Sequence, residues 1–272
     1  LEKTQTLSLV MPKASPKMEK IFAALEQGYP KAKINAHGTD LFVLWGLIAN
    51  NSQYMVKDRY IFCDMPYNGR YDPNNEDWDN TYWRWCFNSL HDNRELNVPS
   101  DRFDQWDIKV KPWSKGEHIL ICPSSNTMTQ YMHNMSSQEW TDDTSRKIKS
   151  FTNRPIKIRN KPRKNGTSGP SVADSTIQSD LNNCHAMVVS GSICAVDSLI
   201  NGIPVYSTSM YAPSGWCTNR DLSTIDEPKY YDRETLFYNL AYKQYNIKEM
   251  REGICYENSN RWLLNQRTKE SL

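Results

Sequence analysis

The stretch CHAMVVSGSICAVDSLINGIPVYST, residues 184–208, runs from an apolar segment through a small-residue turn into a short amphipathic segment and back to an apolar one. AMVVS (186–190) has no polar alternation, as expected of a parallel strand buried on both faces. Ligands of open α/β sheets gather at the carboxyl ends of such strands, so function is expected just beyond Ser190. There Gly191 permits a tight turn, and Ser190 and Ser192 bring hydroxyls without bulk. Residues 192–201 are predicted as a helix closed by Gly202, with Pro204 opening the next strand. A helix start offers unpaired N–H groups and a positive dipole end, a combination that favours phosphate. Asp197, one turn further on, is a candidate acceptor for sugar hydroxyls or a solvent-facing first-turn carboxylate.

Outward from this stretch, short β-rich runs at 6–11, 40–46, 59–65, 107–110, 118–123, 155–159 and 203–207 read as strands. Segments 15–28, 47–57, 80–91 and 126–150 between them read as helices, and the chain beyond 228 as helices covering a sheet. This alternation predicts parallel sheets with helices on their faces. The Gly/Pro/Ser-rich segment 163–176 reads as a loop, and VKPWSKGEH (110–118) as a boundary between domains 1–112 and 113–272.

The 272 residues, 38% apolar, suffice for two domains with cores of their own. Mean hydropathy is -0.73 and no apolar run spans a bilayer, so a soluble, cytoplasmic protein with no membrane partner is expected. The first twenty residues lack the basic and apolar regions of a secretion signal. Seven scattered cysteines without Cys-x-x-Cys fit buried reduced thiols better than a disulfide framework or metal knuckle. Net charge is +2, yet residues 146–164 carry nine Lys or Arg and no acid, either a solvated basic face or the binding surface of a polyanion. The Walker, G-x-G-x-x-G and G-x-S-x-G patterns are all missing, which disfavours P-loop NTPases, ordinary dinucleotide enzymes and serine hydrolases.

The strand ending VVS followed by GSICAVDSLINGIPVY resembles the donor-site helix of GT-B glycosyltransferases. DLFVLWG (40–46), YIFCDMPYNGRY (60–71), YWRWCFNSLH (82–91), RPIKIRNKPRK (154–164) and the segment 221–253 follow in an order similar to small bacteriophage glycosyltransferases, some tied to sugar decoration of hydroxymethylated DNA bases. The resemblance covers most of residues 38–253. It implies an α/β, GT-B-like fold: two Rossmann-like lobes with parallel sheets and a cleft between them, the donor on the C-terminal lobe and the acceptor mainly on the N-terminal one. Ser190, Gly191, Ser192 and Ile193 would cradle the donor diphosphate, and Asp197 would hold its ribose or sugar. Arg159 and Lys161 would neutralise the leaving diphosphate, as a metal does in other transferases. Asp64 is the expected general base and His37 a weaker candidate. Trp45, Gly46, Tyr67 and Arg70, with Arg163 and Lys164, would meet the acceptor.

By the same resemblance the donor is a nucleotide sugar, UDP-glucose as a guess, with no further cofactor and no metal. The acceptor is a hydroxyl on a 5-hydroxymethylpyrimidine of duplex DNA in a host cytoplasm, with the 146–164 stretch along the phosphates. A saccharide or surface-polysaccharide acceptor is the second reading, and a non-catalytic nucleotide-binding module the third.

Overall fold

A computed structural model describes residues 6–11, 16–37, 39, 41–48, 50–57, 59–69, 77–160 and 176–259. The chain divides into one unit made of residues 1–102 and 238–272, and a second made of 103–237.

The first unit opens with strand β1 (Leu7–Val10) and helix α1 (Pro16–Gly28), followed by β2 (Ala32–Ile34), β3 (Leu41–Trp45), β4 (Tyr60–Asp64) and β5 (Tyr82–Phe87). Pro16 suits the first helical position, where its missing N–H is no loss. Met18, Ile21, Phe22 and Leu25 then place one apolar stripe of α1 against the sheet, with Leu7, Leu9, Val43, Ile61, Trp83 and Trp85. Strands β2, β1, β3 and β4 are parallel in that spatial order, and β5 adds antiparallel to β4.

The second unit begins within the short helix α2 (Asp101–Asp104) and continues through β6 (His118–Cys122), α3 (Asn126–His133), α4 (Ser137–Lys149), β7 (Ile156–Ile158), α5 (Ile177–Leu181), β8 (Cys184–Val189), α6 (Cys194–Ile200), β9 (Val205–Ser207) and β10 (Thr218–Asn219). All five strands are parallel in the order β7-β6-β8-β9-β10. Numbered within the unit this is 2-1-3-4-5, the doubly wound order whose direction reverses between its first and third strands, here β6 and β8. Helix α7 (Glu234–Ala241) crosses the division, and β11 (Gln244–Asn246) and α8 (Ile247–Arg251) then belong to the first unit.

The α/β class with two Rossmann-like units is therefore the one expected, but the chain is divided differently. The division falls between Arg102 and Phe103, not at 112/113, and residues from Tyr238 onward return to the first unit. Phe103 stacks on Phe237 at 5.3 Å, and the Lys111 and Ser114 amides donate to Ile200 O (2.8 Å) and Gly202 O (2.9 Å), which ties residues 103–114 to the second unit. Residues 107–110, expected as a strand, join no sheet. The return is fixed by β11 pairing antiparallel with β5 and by Gln244, whose Oε1 accepts from the Tyr67 and Asn68 amides at 2.8 and 3.1 Å. α8 packs on α1 at Gly28, where a Cβ would lie 2.0 Å from Met250 O and 2.8 Å from Gly253 N, just beyond α8.

Three of the expected helices differ in the structure. Residues 80–91 hold β5, whose YWRWCF is wholly buried and rich in strand-forming aromatics. The run 126–150 is two helices, since Asn134 turns left-handed (φ 54°) and Ser136 starts α4 with a capping box to Glu139. Residues 47–57 contain only a 3-10 segment, Asn51–Lys57. No helix among the described residues is long and apolar enough to cross a membrane.

Candidate functional site

In the second unit the strand order opens a crevice at the carboxyl ends of β6 and β8, where Cys122 pairs with Val189. Ser124 and Ser190 follow those two ends, and both hydroxyls are buried without a hydrogen-bond partner. A buried hydroxyl left unpaired costs about 1–3 kcal/mol, so two of them just beyond neighbouring strand ends at a switch point are a feature to explain. Ser190 has no exposed surface. Ser124 also anchors α4, its carbonyl accepting from Ser137 Oγ at 2.9 Å.

Gly191 lies under α3: a Cβ there would meet Met132 Sδ at 2.8 Å and Tyr211 O at 3.3 Å. Ser190-Gly191-Ser192 forms the turn before α6 and not its first turn, because the helix starts at Cys194 with Ile193 in the cap position and no side-chain cap. Ser192 Oγ accepts from Cys194 Sγ at 3.0 Å. Cys122 is buried and its thiol is pushed well up by its hydrogen bond to Cys194 and by burial. Asp197 lies in α6, half-buried, and its carbonyl accepts from the Asn201 amide at 3.1 Å.

The loop after β9 closes the other side. Ser207 Oγ donates to Ser190 O (3.4 Å) and Ser209 O (3.3 Å), Ser209 Oγ donates to Met132 Sδ (3.4 Å), and Trp140 Nε1 donates to Thr208 Oγ1 (2.9 Å). Tyr131 and Tyr211 pair at 6.3 Å beside it. Arg159 follows β7, one strand from β6, but its guanidinium is ion-paired with Asp180 of α5. Lys161, Arg163 and Lys164 lie outside the described residues.

In the first unit Asp64 ends β4 beside Gly46, and a Cβ on Gly46 would lie 4.0 Å from Asp64 Oδ2. Gly46 needs its positive φ of 55°, and Asn51 Nδ2 holds its carbonyl at 2.7 Å. Asp64 Oδ1 accepts from the Met65 amide (2.7 Å) and Oδ2 is 3.2 Å from Arg84 Nη2, which leaves the side chain 27% exposed. Arg84 is buried, donates to His91 Nδ1 at 2.8 Å, and lies over the Phe62 and Tyr67 rings. Burial works against its charge, but Asp64 and then Tyr67 and two cysteines prevail and raise its pKa.

Tyr67, expected at the acceptor, is instead a core residue with 2% exposure, its hydroxyl 3.2 Å from His91 Nδ1. Burial, first of all, raises that phenol well above its ordinary pKa. Trp45 is half-buried and meets the buried Trp83 edge-on at 4.8 Å. His37 is exposed just after β2, three strands from β4, about 14 Å at ~4.8 Å per strand. It and Asp64 therefore do not form a pair. Arg70 lies outside the described residues.

The sequence reading missed Ser124, Arg84, His91, Gln244 and Arg220. Arg84 and His91 were hidden by assigning 80–91 to a helix, and Gln244 by assigning the C-terminal segment to the other unit. Among the described residues no group of three His, Cys, Asp or Glu could hold a metal ion. All seven cysteines are free, six of them buried.

No protein-family model and no curated protein sequence matches this chain. Among solved structures it is similar to Thermosulfurimonas dismutans KpsC, a beta Kdo 2,7 transferase, at TM-score 0.50 and 10% identity, over 93% of this chain and 99% of that one. At this identity the likeness is one of fold.

Proposed function

We propose that the protein is a glycosyltransferase that moves a sugar from a nucleotide-sugar donor to a hydroxyl of a saccharide acceptor. The observation that carries this reading is the switch point of the second unit, where two partnerless buried hydroxyls, Ser124 and Ser190, flank the glycine turn at 191. Such crevices take nucleotides in doubly wound sheets, and hydroxyls that lack a protein partner suit phosphate or sugar oxygens. The fold likeness to a named Kdo transferase supports the same class.

In this reading Ser190, Gly191, Ser192 and Ile193 hold the donor phosphates and Asp197 its ribose or sugar. Asp64 takes the proton from the acceptor hydroxyl, held in position by Arg84 and the Met65 amide. Trp45 and Gly46 line the acceptor's approach on the first unit. The donor nucleotide is the co-substrate, with no separate cofactor.

A saccharide acceptor is favoured over duplex DNA by the fate of the basic stretch. Of its described cations, Arg146 and Lys147 pair with Asp143, Arg154 with Asp226 and Arg159 with Asp180, leaving Lys149 and Lys157 outside ion pairs with acids. A cation must exchange its acid partner before it can answer a phosphate, which lowers what it adds to backbone binding.

The test is mass spectrometry after incubation with a panel of nucleotide sugars, activated Kdo included, and two acceptor classes: oligosaccharides, and duplex DNA containing 5-hydroxymethylpyrimidines. A sugar mass gain on an oligosaccharide is expected. Gain on DNA alone would replace the acceptor, and no gain together with no donor turnover would refute the transferase.

A further inference from the structure

We infer that Arg220, at the carboxyl end of β10, is the oxyanion-binding residue of the second unit's crevice, with its Nε–Nη2 edge turned to a phosphate or a sugar carboxylate. This rests on the donor-site reading above and names the group that would answer the donor's charge.

Arg220 follows Asn219, the last residue of β10, on the same edge of the parallel sheet as Ser190 and Ser207. Its Nη1 donates to the carbonyls of Ser207 (3.4 Å) and Ser209. Nothing among the described residues receives the remaining three donors on Nε and Nη2, and no carboxylate pairs with the residue, which is exposed. That free edge is the one guanidinium uses for side-on, two-bond recognition of phosphate and carboxylate. A guanidinium already fixed by two backbone carbonyls has paid most of its rotamer entropy before a ligand arrives.

The same carbonyls tie it to the switch point. Ser207 Oγ lies within hydrogen-bond distance of both Ser209 O and Ser190 O, so a single hydroxyl links the carbonyl that holds Arg220 to the backbone of Ser190. Arg159, the cation suggested by the sequence, is answered by Asp180 instead. Partial desolvation lowers the pKa of Arg220, and only the Tyr231 phenol works against that shift.

Isothermal titration of the whole chain with inorganic pyrophosphate and, separately, with glucuronate tests the inference. Arg220→Gln is expected to weaken the ligand that wild type binds by about 10- to 100-fold, the range of a charge-assisted bidentate contact. Arg220→Lys, which keeps the charge and loses the fork, is expected to fall between them. Thermal unfolding of both variants guards against a collapsed 207–209 loop. Loss for pyrophosphate assigns phosphate, and loss for glucuronate assigns a sugar carboxylate. Equal affinity in wild type and both variants, or no binding of either anion by wild type, overturns the inference. Arg220-dependent anion binding in a protein that turns over no nucleotide sugar would leave this site standing and remove the transferase reading.

Discussion

Asp64 and Arg84 stand opposite each other in the β4–β5 pairing, and Arg84 bridges the Asp64 carboxylate at 3.2 Å to His91 at 2.8 Å. Arg84→Met leaves Asp64 and His91 without this partner. It is expected to destabilise the protein by about 2–4 kcal/mol, somewhat below the cost of breaking a fully buried pair because Asp64 keeps solvent contact. Urea denaturation measures it. Asp64→Asn, by contrast, should suppress turnover while donor affinity stays nearly unchanged; full activity in that variant removes Asp64 from the role of base.

Ser190→Ala separates stability from binding. The hydroxyl has no partner to lose, so thermal stability should stay level or rise by up to about 1 kcal/mol. Donor affinity, read by titration with a nucleotide sugar, should fall about tenfold. A variant that loses stability and keeps its affinity would make the hydroxyl structural.

Two glycines should respond differently to alanine. At Gly28 the new methyl meets Met250 O at 2.0 Å and Gly253 N at 2.8 Å, so backbone must move and the cost should exceed the about 1–3 kcal/mol usual for overpacking. At Gly191 the obstacle is the flexible end of Met132, and about 1 kcal/mol is expected. Denaturation midpoints of the two variants rank them.

His118, His133 and His185, all in the second unit, have pKa values held below 6.5, in each case chiefly by burial. Below pH 6.5 the unfolded chain therefore binds protons that the folded one does not, and stability falls as pH falls from there toward the lowered folded values. Unfolding midpoints should decline between about pH 7.5 and pH 5.5, before ordinary carboxylates titrate. The decline should flatten in a His118→Gln, His185→Gln variant. A midpoint independent of pH across that window contradicts the assignment.

The central strands were legible because burial on both faces writes itself as apolar runs: YIFCD, HILIC and AMVV all lie in strands, the last begun two residues earlier at Cys184. The glycine turn at 191 was legible for the same reason, since a parallel strand must hand its ligand to the next loop. β5 was not, because Arg84 interrupts its apolar pattern and only its antiparallel partner explains a buried cation there. Nor was the return of β11, which depends on Gln244 bonding to amides more than 170 positions earlier. Arg220 and Ser124 gave no local signal at all. Arg220 differs from Arg159 only in lacking an acid, a fact of tertiary placement, as is the missing partner of the Ser124 hydroxyl.

The most direct test of the donor site is amide hydrogen exchange across the whole chain with and without a panel of nucleoside mono- and diphosphates. Slowed exchange in residues 123–127 and 190–194 with a nucleotide that binds is the predicted result. Binding without protection of either segment, with exchange slowed elsewhere, would contradict a donor site at the β6–β8 switch point.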